Sequence, residues 1–169
     1  MERVAPPRPL AGEDELAAFD CGRPALNLWL QRHAWRNQKA DASRTSVLCC
    51  ADTGDLIAYV SLASAEIVRE HLPKPMQRNK PDPVPTVLLG QLAVDLRYQG
   101  QGHARSLLLF ALRTAVRLSA EIGCFGVITH PIDEDARRFY LRWGFESLPG
   151  HPHDAMILRM ADIRASGIE

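Results

Sequence analysis

The 169-residue sequence lacks a net charge: 20 Lys and Arg stand against 20 Asp and Glu. That excludes a protein acting through a large global field, such as a polybasic tail protein, though not a local basic patch. A long apolar run is missing too. The longest stretch free of charges and turn-forming residues, 56–65, has 10 residues, too few to span a bilayer. The N-terminus (MERVAPPRPL) has no apolar core after its basic residues, so no secretory signal is expected and the cytoplasm is the expected compartment. Cysteine is sparse, with no C-x-x-C pair and no even framework, which argues against a disulfide scaffold. Cys21, Cys49, Cys50 and Cys124 read as buried reduced thiols acting as small hydrophobes.

Internal repeats and domain linkers are absent as well. With 46% apolar and 24% charged residues, the composition is that of one ordinary globular domain over residues 1–169. Lysine is scarce, and all three lysines lie between 39 and 80. The zero balance hides a distribution. Residues 31–48 hold Arg32, Arg36, Lys39 and Arg44 against Asp41 alone, and residues 69–80 hold Arg69, Lys74, Arg78 and Lys80 against Glu70 alone. On charge alone, these two windows read as solvated faces.

Residues 26–39 carry Leu26, Trp29, Leu30, His33 and Ala34 at helical spacing after Pro24. Residues 45–51 and Leu56–Ile67 read as the strands of a hairpin around Thr53, Gly54 and Asp55. Residues 73–85 hold five prolines, so neither helix interior nor central strand is expected there, but a stiff exposed loop. Residues 86–94 are a buried strand. Residues 104–122 form the clearest helix, with Ala104, Leu107, Leu108, Ala111, Leu112, Ala115, Leu118 and Ile122 on one face and Gly123 ending it. Residues 124–129 are a strand. Residues 133–143 are a helix capped by Asp133, acidic at its start and basic later, and stopped by Gly144. Residues 145–147 and 155–160 close the fold as strands. The order predicts a mixed α/β or α+β architecture.

Between the strand at 86–94 and the helix at 104–122 lies DLRYQGQGHA, residues 95–104. A glycine-bearing turn at a helix N-terminus exposes consecutive amide protons, and with the helix dipole these suit a phosphate. Gly100 and Gly102 permit close approach. This is not a P-loop, which needs Gly-Lys-Ser/Thr at its end. Nor is it a dinucleotide fingerprint, since Arg105 stands where a third glycine is needed. Two glycines before a helix are equally compatible with a tight turn that binds nothing. His130, at a strand end, reads as packing or hydrogen bonding before it reads as a base. His151-Pro-His153 lacks further ligands, so no metal site is expected.

Gln99-x-x-Gly102-x-Ala104 matches the Gln/Arg-x-x-Gly-x-Gly/Ala signature of the GNAT N-acetyltransferases. It follows a strand ending Leu92-Ala93-Val94 and precedes a long amphipathic helix. Farther on, the segment from Ala136 through Phe139, Tyr140 and Gly144 to Phe145 resembles that family's second signature. Other segments are similar to the TacT/AtaT-type toxin branch of the family. These are Phe19-Asp-Cys-Gly22, Leu26-Asn-Leu-Trp-Leu30, Asn37-Gln38, Ala42-Ser-Arg44-Thr45, Tyr59-x-Ser61-Leu62-Ala63 and the run from Arg78 to Pro85. Gln91 and Gln77 depart from it, standing where many members have arginine and a second basic residue.

The resemblance implies a GNAT fold: a central, mostly antiparallel sheet with one splayed parallel strand pair, flanked by helices. It implies acetyl-CoA as co-substrate and no metal. The pyrophosphate is expected on backbone amides of Gln99, Gly100, Gln101, Gly102, His103, Ala104 and Arg105, and the pantetheine arm beside Leu92, Ala93 and Val94, with Phe139 also at the cofactor. The Val94 amide would polarise the thioester carbonyl, and Tyr140 would protonate the departing thiolate. The toxin branch implies acetylation of the α-amine of aminoacyl-tRNA, blocking translation. Arg36, Lys39, Arg44, Arg78 and Lys80 are then the expected phosphate contacts. It implies further a ribbon-helix-helix antitoxin that binds DNA, and a homodimer. Two other readings stay open: the same transfer to a small amine, peptide or protein lysine, and a non-catalytic partner of a DNA-binding antitoxin.

Overall fold

Short apolar runs punctuated by turns pair into a sheet, and amphipathic segments become the helices that flank it. The computed structural model describes residues 2–168. In chain order the elements are β1 (Arg8–Pro9), α1 (Pro24–Trp29), a π-helical turn (Leu30–Ala34), α2 (Trp35–Lys39), β2 (Arg44–Cys49) and β3 (Leu56–Ile67). Then come a 3-10 turn (Arg69–His71), α3 (Lys74–Gln77), β4 (Val84–Val94), a second 3-10 turn (Leu96–Tyr98), α4 (His103–Ser119), β5 (Gly126–Thr129), α5 (Glu134–Arg142), β6 (Glu146–Ser147), β7 (Met156–Arg159) and α6 (Met160–Ala165). The strands form one mixed sheet ordered β1-β2-β3-β4-β5-β7-β6. β4 and β5 are parallel, with Val87, Leu88 and Leu89 opposite Val127, Ile128 and Thr129. β2–β3, β5–β7 and β6–β7 are antiparallel.

The chain divides into two compact units, residues 1–63 with 90–111, and 64–89 with 112–169. In the first, Leu26, Leu30 and Ala34 bury one stripe of the helical segment against Phe19, Val47, Tyr59 and Ala93. Tyr59 is the centre of that core. Its ring is fully buried, stacks on Trp29 at 6.0 Å and meets Phe19 edge-on, while its hydroxyl donates to the Leu26 carbonyl at 2.7 Å. In the second unit, Ile67, Leu72, Met76, Val84, Ile128, Leu148, Ala155 and Ile157 form the core. There β5 approaches β7 so closely that a Cβ at Gly126 would meet the Leu158 carbonyl oxygen at 2.5 Å. Only glycine fits.

Several expectations are corrected. Residues 73–85 are not all loop: Pro73 caps α3 and Pro75 lies in its first turn, where a missing amide proton costs nothing. Met76 from α3 is buried. The helix expected at 104–122 ends at Ser119, and both Leu118 in its last turn and Ile122 beyond it are exposed rather than part of the buried face. The helix at 26–39 starts earlier and contains a π-turn. β1 and α6 were not anticipated; β1 is a two-residue edge strand where proline is tolerated, and α6 is too short for a clear period.

Candidate active site

β4 ends at Val94, and the next residue anchors the turn that follows. Asp95 is buried. Its carboxylate accepts hydrogen bonds from the Asp20 amide at 3.1 Å, the Arg97 amide at 2.9 Å and Arg97 Nε at 3.0 Å. Burial alone would raise its pKa. The Arg97 side chain, then the Arg97 and Asp20 amides, outweigh that and hold it below the usual carboxylate value. The backbone is fixed as well: the Asp95 amide donates to Ile57 O and the Leu96 amide to Asp20 O.

Beyond the 3-10 turn, Gly100 and Gly102 take left-handed φ values of 77° and 86°. A Cβ at either would meet nothing within 4 Å, so conformation rather than space demands glycine there. α4 starts at His103, and the first amides of a helix have no intrahelical acceptor. Those amides and the dipole suit a phosphate. Gln99 contributes differently from a direct ligand contact through its side chain. Its Nε2 donates to Val94 O at 2.8 Å and to Cys21 O at 3.0 Å, tying the loop to the strand end. Leu92 and Val94 are half-buried, Ala93 buried, and His103 and Ala104 half-buried, while Gly100, Gln101, Gly102 and Arg105 are exposed. A cavity of about 460 Å³ lined by Glu2, Asp55, Arg97, Tyr98 and Gln101 borders the turn. Its two carboxylates make it a poor host for a polyanion.

In the second unit, Asp133 caps α5 by accepting from the Ala136 amide at 2.9 Å. The helix delivers Tyr140, which is buried between Phe139 and Phe145, with ring centroids at 5.2 and 5.1 Å. Burial pushes its pKa up to about 12, partly offset by a hydrogen bond with Thr129. At neutral pH, Tyr140 therefore keeps its proton. Gly144, at φ 93°, turns the chain out of the helix. His130 Nδ1 donates to the Asp154 carbonyl at 3.0 Å and its ring lies 5.5 Å from His151. His71 and His153 lie 5.2 and 5.9 Å from His151. Burial, then His153, lowers the His130 pKa, and burial also lowers that of His151. Among the described residues no group of three His, Cys, Asp or Glu is placed to hold a metal ion.

The five expected phosphate contacts divide between the units. Arg36, Lys39 and Arg44 belong to the first, Arg78 and Lys80 to the second. Arg36 and Arg78 are exposed. Lys39 Nζ lies 6.0 Å from the Trp35 ring and Lys80 Nζ 5.0 Å from Phe125. Arg44 pairs with Asp41 at 2.6 Å and donates to Gln38 O at 2.7 Å, so much of its charge is spent internally.

The profile of the acetyltransferase (GNAT) family matches residues 13–145. The tRNA-acetylating toxin of Mycobacterium tuberculosis is 34% identical over 165 residues, 98% of each chain. The structure of AtaT complexed with acetyl-methionyl-tRNAfMet superposes with a TM-score of 0.89 at 29% identity, covering 98% of this chain and 99% of that one. A mutant of the AtaT toxin bound to the C-terminus of the antitoxin AtaR and to acetyl-CoA gives 0.83 at 26% identity, covering 99% and 100%.

Proposed function

Since this chain belongs to the acetyltransferase (GNAT) family, we propose that it transfers the acetyl group of acetyl-CoA to the α-amine of aminoacyl-tRNA and so acts as a translation-blocking toxin. The observation that carries the substrate is the full-length likeness to a tRNA-acetylating toxin. The match runs through both units, which supports reading the chain as one acetyltransferase domain. Acetyl-CoA fits the loop: Gly100 and Gly102 leave open space for the pyrophosphate, and the start of α4 offers amide donors. An antitoxin partner and a homodimer belong to the same reading, the former supported by the AtaR complex of the related toxin. The four free cysteines support a reducing cytoplasm, and among the described residues no helix is long and apolar enough to cross a membrane.

The chemistry asks little of a base. A free α-amino group has a pKa of about 7.7–8.0, so a useful fraction is unprotonated at neutral pH. The Val94 amide polarises the thioester carbonyl and stabilises the oxyanion. As the amine nitrogen bonds to the acetyl carbon and the carbon–sulfur bond breaks, Tyr140 gives its proton to the sulfur. The proton lost by the amine restores it. Lys39, Arg36, Arg78 and Lys80, with a weaker share from Arg44, hold RNA phosphates. Incubation with acetyl-CoA and total aminoacylated tRNA, followed by mass analysis of the released amino acids, tests the proposal. N-acetylated amino acids are expected, and their absence across all twenty would overturn it.

A further inference from the structure

The His151-Pro-His153 motif lies outside the transfer chemistry, yet it belongs to a patch of four imidazoles, all in the second unit. His151 is the centre: the rings of His71, His130 and His153 lie 5.2, 5.5 and 5.9 Å from it. Three segments build the patch: the 3-10 turn after β3, the end of β5 and the loop between β6 and β7. Gly150 sits against the turn, where a Cβ would meet the His71 carbonyl oxygen at 3.3 Å. Backbone groups set the rings. The Asp154 carbonyl only accepts, so Nδ1 of His130 holds the proton of the neutral ring and Nε2 is the nitrogen that titrates. His151 Nδ1 accepts from the His153 amide at 3.1 Å, so its Nε2 carries a proton in either charge state. His130 and His153 are exposed, His71 and His151 half-buried. The acids on the segments that carry or adjoin the patch are Glu70, Asp82, Glu134 and Asp154. Asp154 pairs with Arg137, which also reaches Glu134, and Asp82 accepts from the Arg69 amide at 3.1 Å. The cations there are Arg69, Lys74 and Arg137. Arg69 Nη1 donates to the Lys80 carbonyl at 3.0 Å, which joins the turn of His71 to the segment of Arg78 and Lys80.

Resting on the tRNA reading above, we propose that this imidazole patch is a further phosphate contact for the RNA, one that tightens as the rings gain protons. Among the described residues no three such groups are placed to hold a metal ion, so the ligand that four clustered imidazoles suit is an anion. A phosphodiester also continues the line of cations through Arg78 and Lys80. Burial first, and then neighbouring imidazoles, hold His130 and His151 below the ordinary histidine value, so the unliganded patch is short of negative charge. When neutral it offers donors such as His151 Nε2. On protonation, His130 Nε2 turns from acceptor to donor and the ring gains a charge. A phosphate seated there favours the charged rings, so binding takes up protons. Affinity therefore climbs as pH falls below the pKa of the RNA-bound rings, and levels off below that of the free ones.

The test measures binding of total tRNA to the full chain by filter binding, at about 50 mM salt, between about pH 8 and pH 6. Affinity should rise about tenfold over that range for one linked proton. His130→Gln combined with His151→Gln keeps neutral donors that cannot gain charge, and should flatten the rise while matching wild type at the alkaline end. His33→Gln, at an exposed histidine of the other basic window, should keep the full rise. A flat wild-type profile, a rise that survives the double substitution, or one lost with His33→Gln overturns the proposal. Should the double variant not fold, His130→Gln with His153→Gln, both exposed positions, is read in the same way. Polyglutamate is the second ligand: pH-dependent binding of it without that of tRNA would assign the patch to an acidic protein segment and overturns the proposal. Calorimetry with CoA should give one pH response in wild type and double variant; a response lost in the variant would assign the imidazoles to the cofactor's phosphates and overturns it equally. Acetylation of aminoacylated tRNA beside pH-independent binding removes only this inference. No acetylation beside histidine-dependent tRNA binding removes the transfer reading and leaves the contact.

Discussion

Two buried tyrosines, one in each unit, have opposite prospects. Tyr59 sits in an aromatic cluster and donates to the Leu26 carbonyl. Tyr140 sits in another, between Phe139 and Phe145. Burial raises both pKa values, and raises that of Tyr59 much further. The partner makes the difference. A backbone carbonyl can never donate to a phenolate, so Tyr59 is locked as a neutral strut. The Thr129 hydroxyl instead lowers the Tyr140 pKa against the effect of burial, so of the two phenols Tyr140 is the less costly to ionise. Burial and ring packing do not by themselves mark a reactive tyrosine; what its polar neighbour does to the charged form matters as well.

The sharpest way to break this comparison is to remove each phenol oxygen in turn. Tyr140→Phe should lower acetyl transfer by about 10²–10⁴-fold with CoA affinity unchanged by calorimetry. A rate near wild type would erase the distinction. Next in size, the two basic windows ask whether both units meet RNA. With about four phosphate contacts, tRNA affinity should fall roughly a hundredfold between about 50 and 200 mM salt. Neutralising Arg36 with Lys39, or Arg78 with Lys80, should each flatten that slope in a filter-binding titration. If only one pair does so, the RNA contact belongs to one unit.

Smaller, and in the opposite currency, Tyr59→Phe should leave kcat intact and cost about 0.5–1.5 kcal/mol of unfolding free energy in urea, because the Leu26 carbonyl loses one donor and keeps the Leu30 amide. Smallest is the response to acid. His130 and His151 have folded pKa values below 6.5, so the folded state resists protonation that the unfolded chain accepts. Their contribution is complete above about pH 6.5 and is lost as pH falls below it. Asp95, held below its ordinary value, contributes above about pH 4 and loses that only on further acidification. Hydrogen exchange at pH 7 and pH 5.5 should therefore show protection falling first around residues 130 and 151, with residues 95–98 still protected.

What sequence pattern revealed and what it hid follow the same physics. β3 is visible because Thr53, Gly54 and Asp55 mark the turn before it and an apolar run starts at Leu56. α5 is visible because its cap, its acids and its arginines agree. The loop of Gly100 and Gly102 is legible because only glycine takes those φ values cheaply. Proline misled at α3: a rule about helix interiors says nothing against a first turn. Ile122 continues the α4 pattern past Ser119, where the helix stops, since hydrophobic spacing carries no record of its own end. The bond from Thr129 to Leu89 crosses forty positions, and one threonine in a strand of valine and isoleucine carries no local mark. Gln99 stands inside a recognisable motif, yet its side chain bonds Val94 O and Cys21 O, a role the spacing could not foretell.

Neither unit is a continuous piece of chain. The path passes from one to the other at residues 63, 89 and 111, inside β3, β4 and α4. During synthesis the first 63 residues emerge without Ala93, which belongs to their core, and the loop that carries Gly100 and Gly102 follows later still. Closing that core means joining segments far apart in sequence, the slow kind of folding step. A ribosome stalled before residue 90 holds a chain with neither the loop of Gly100 and Gly102 nor Tyr140. Under the transfer reading proposed above, the groups that reading needs are therefore complete only late in synthesis.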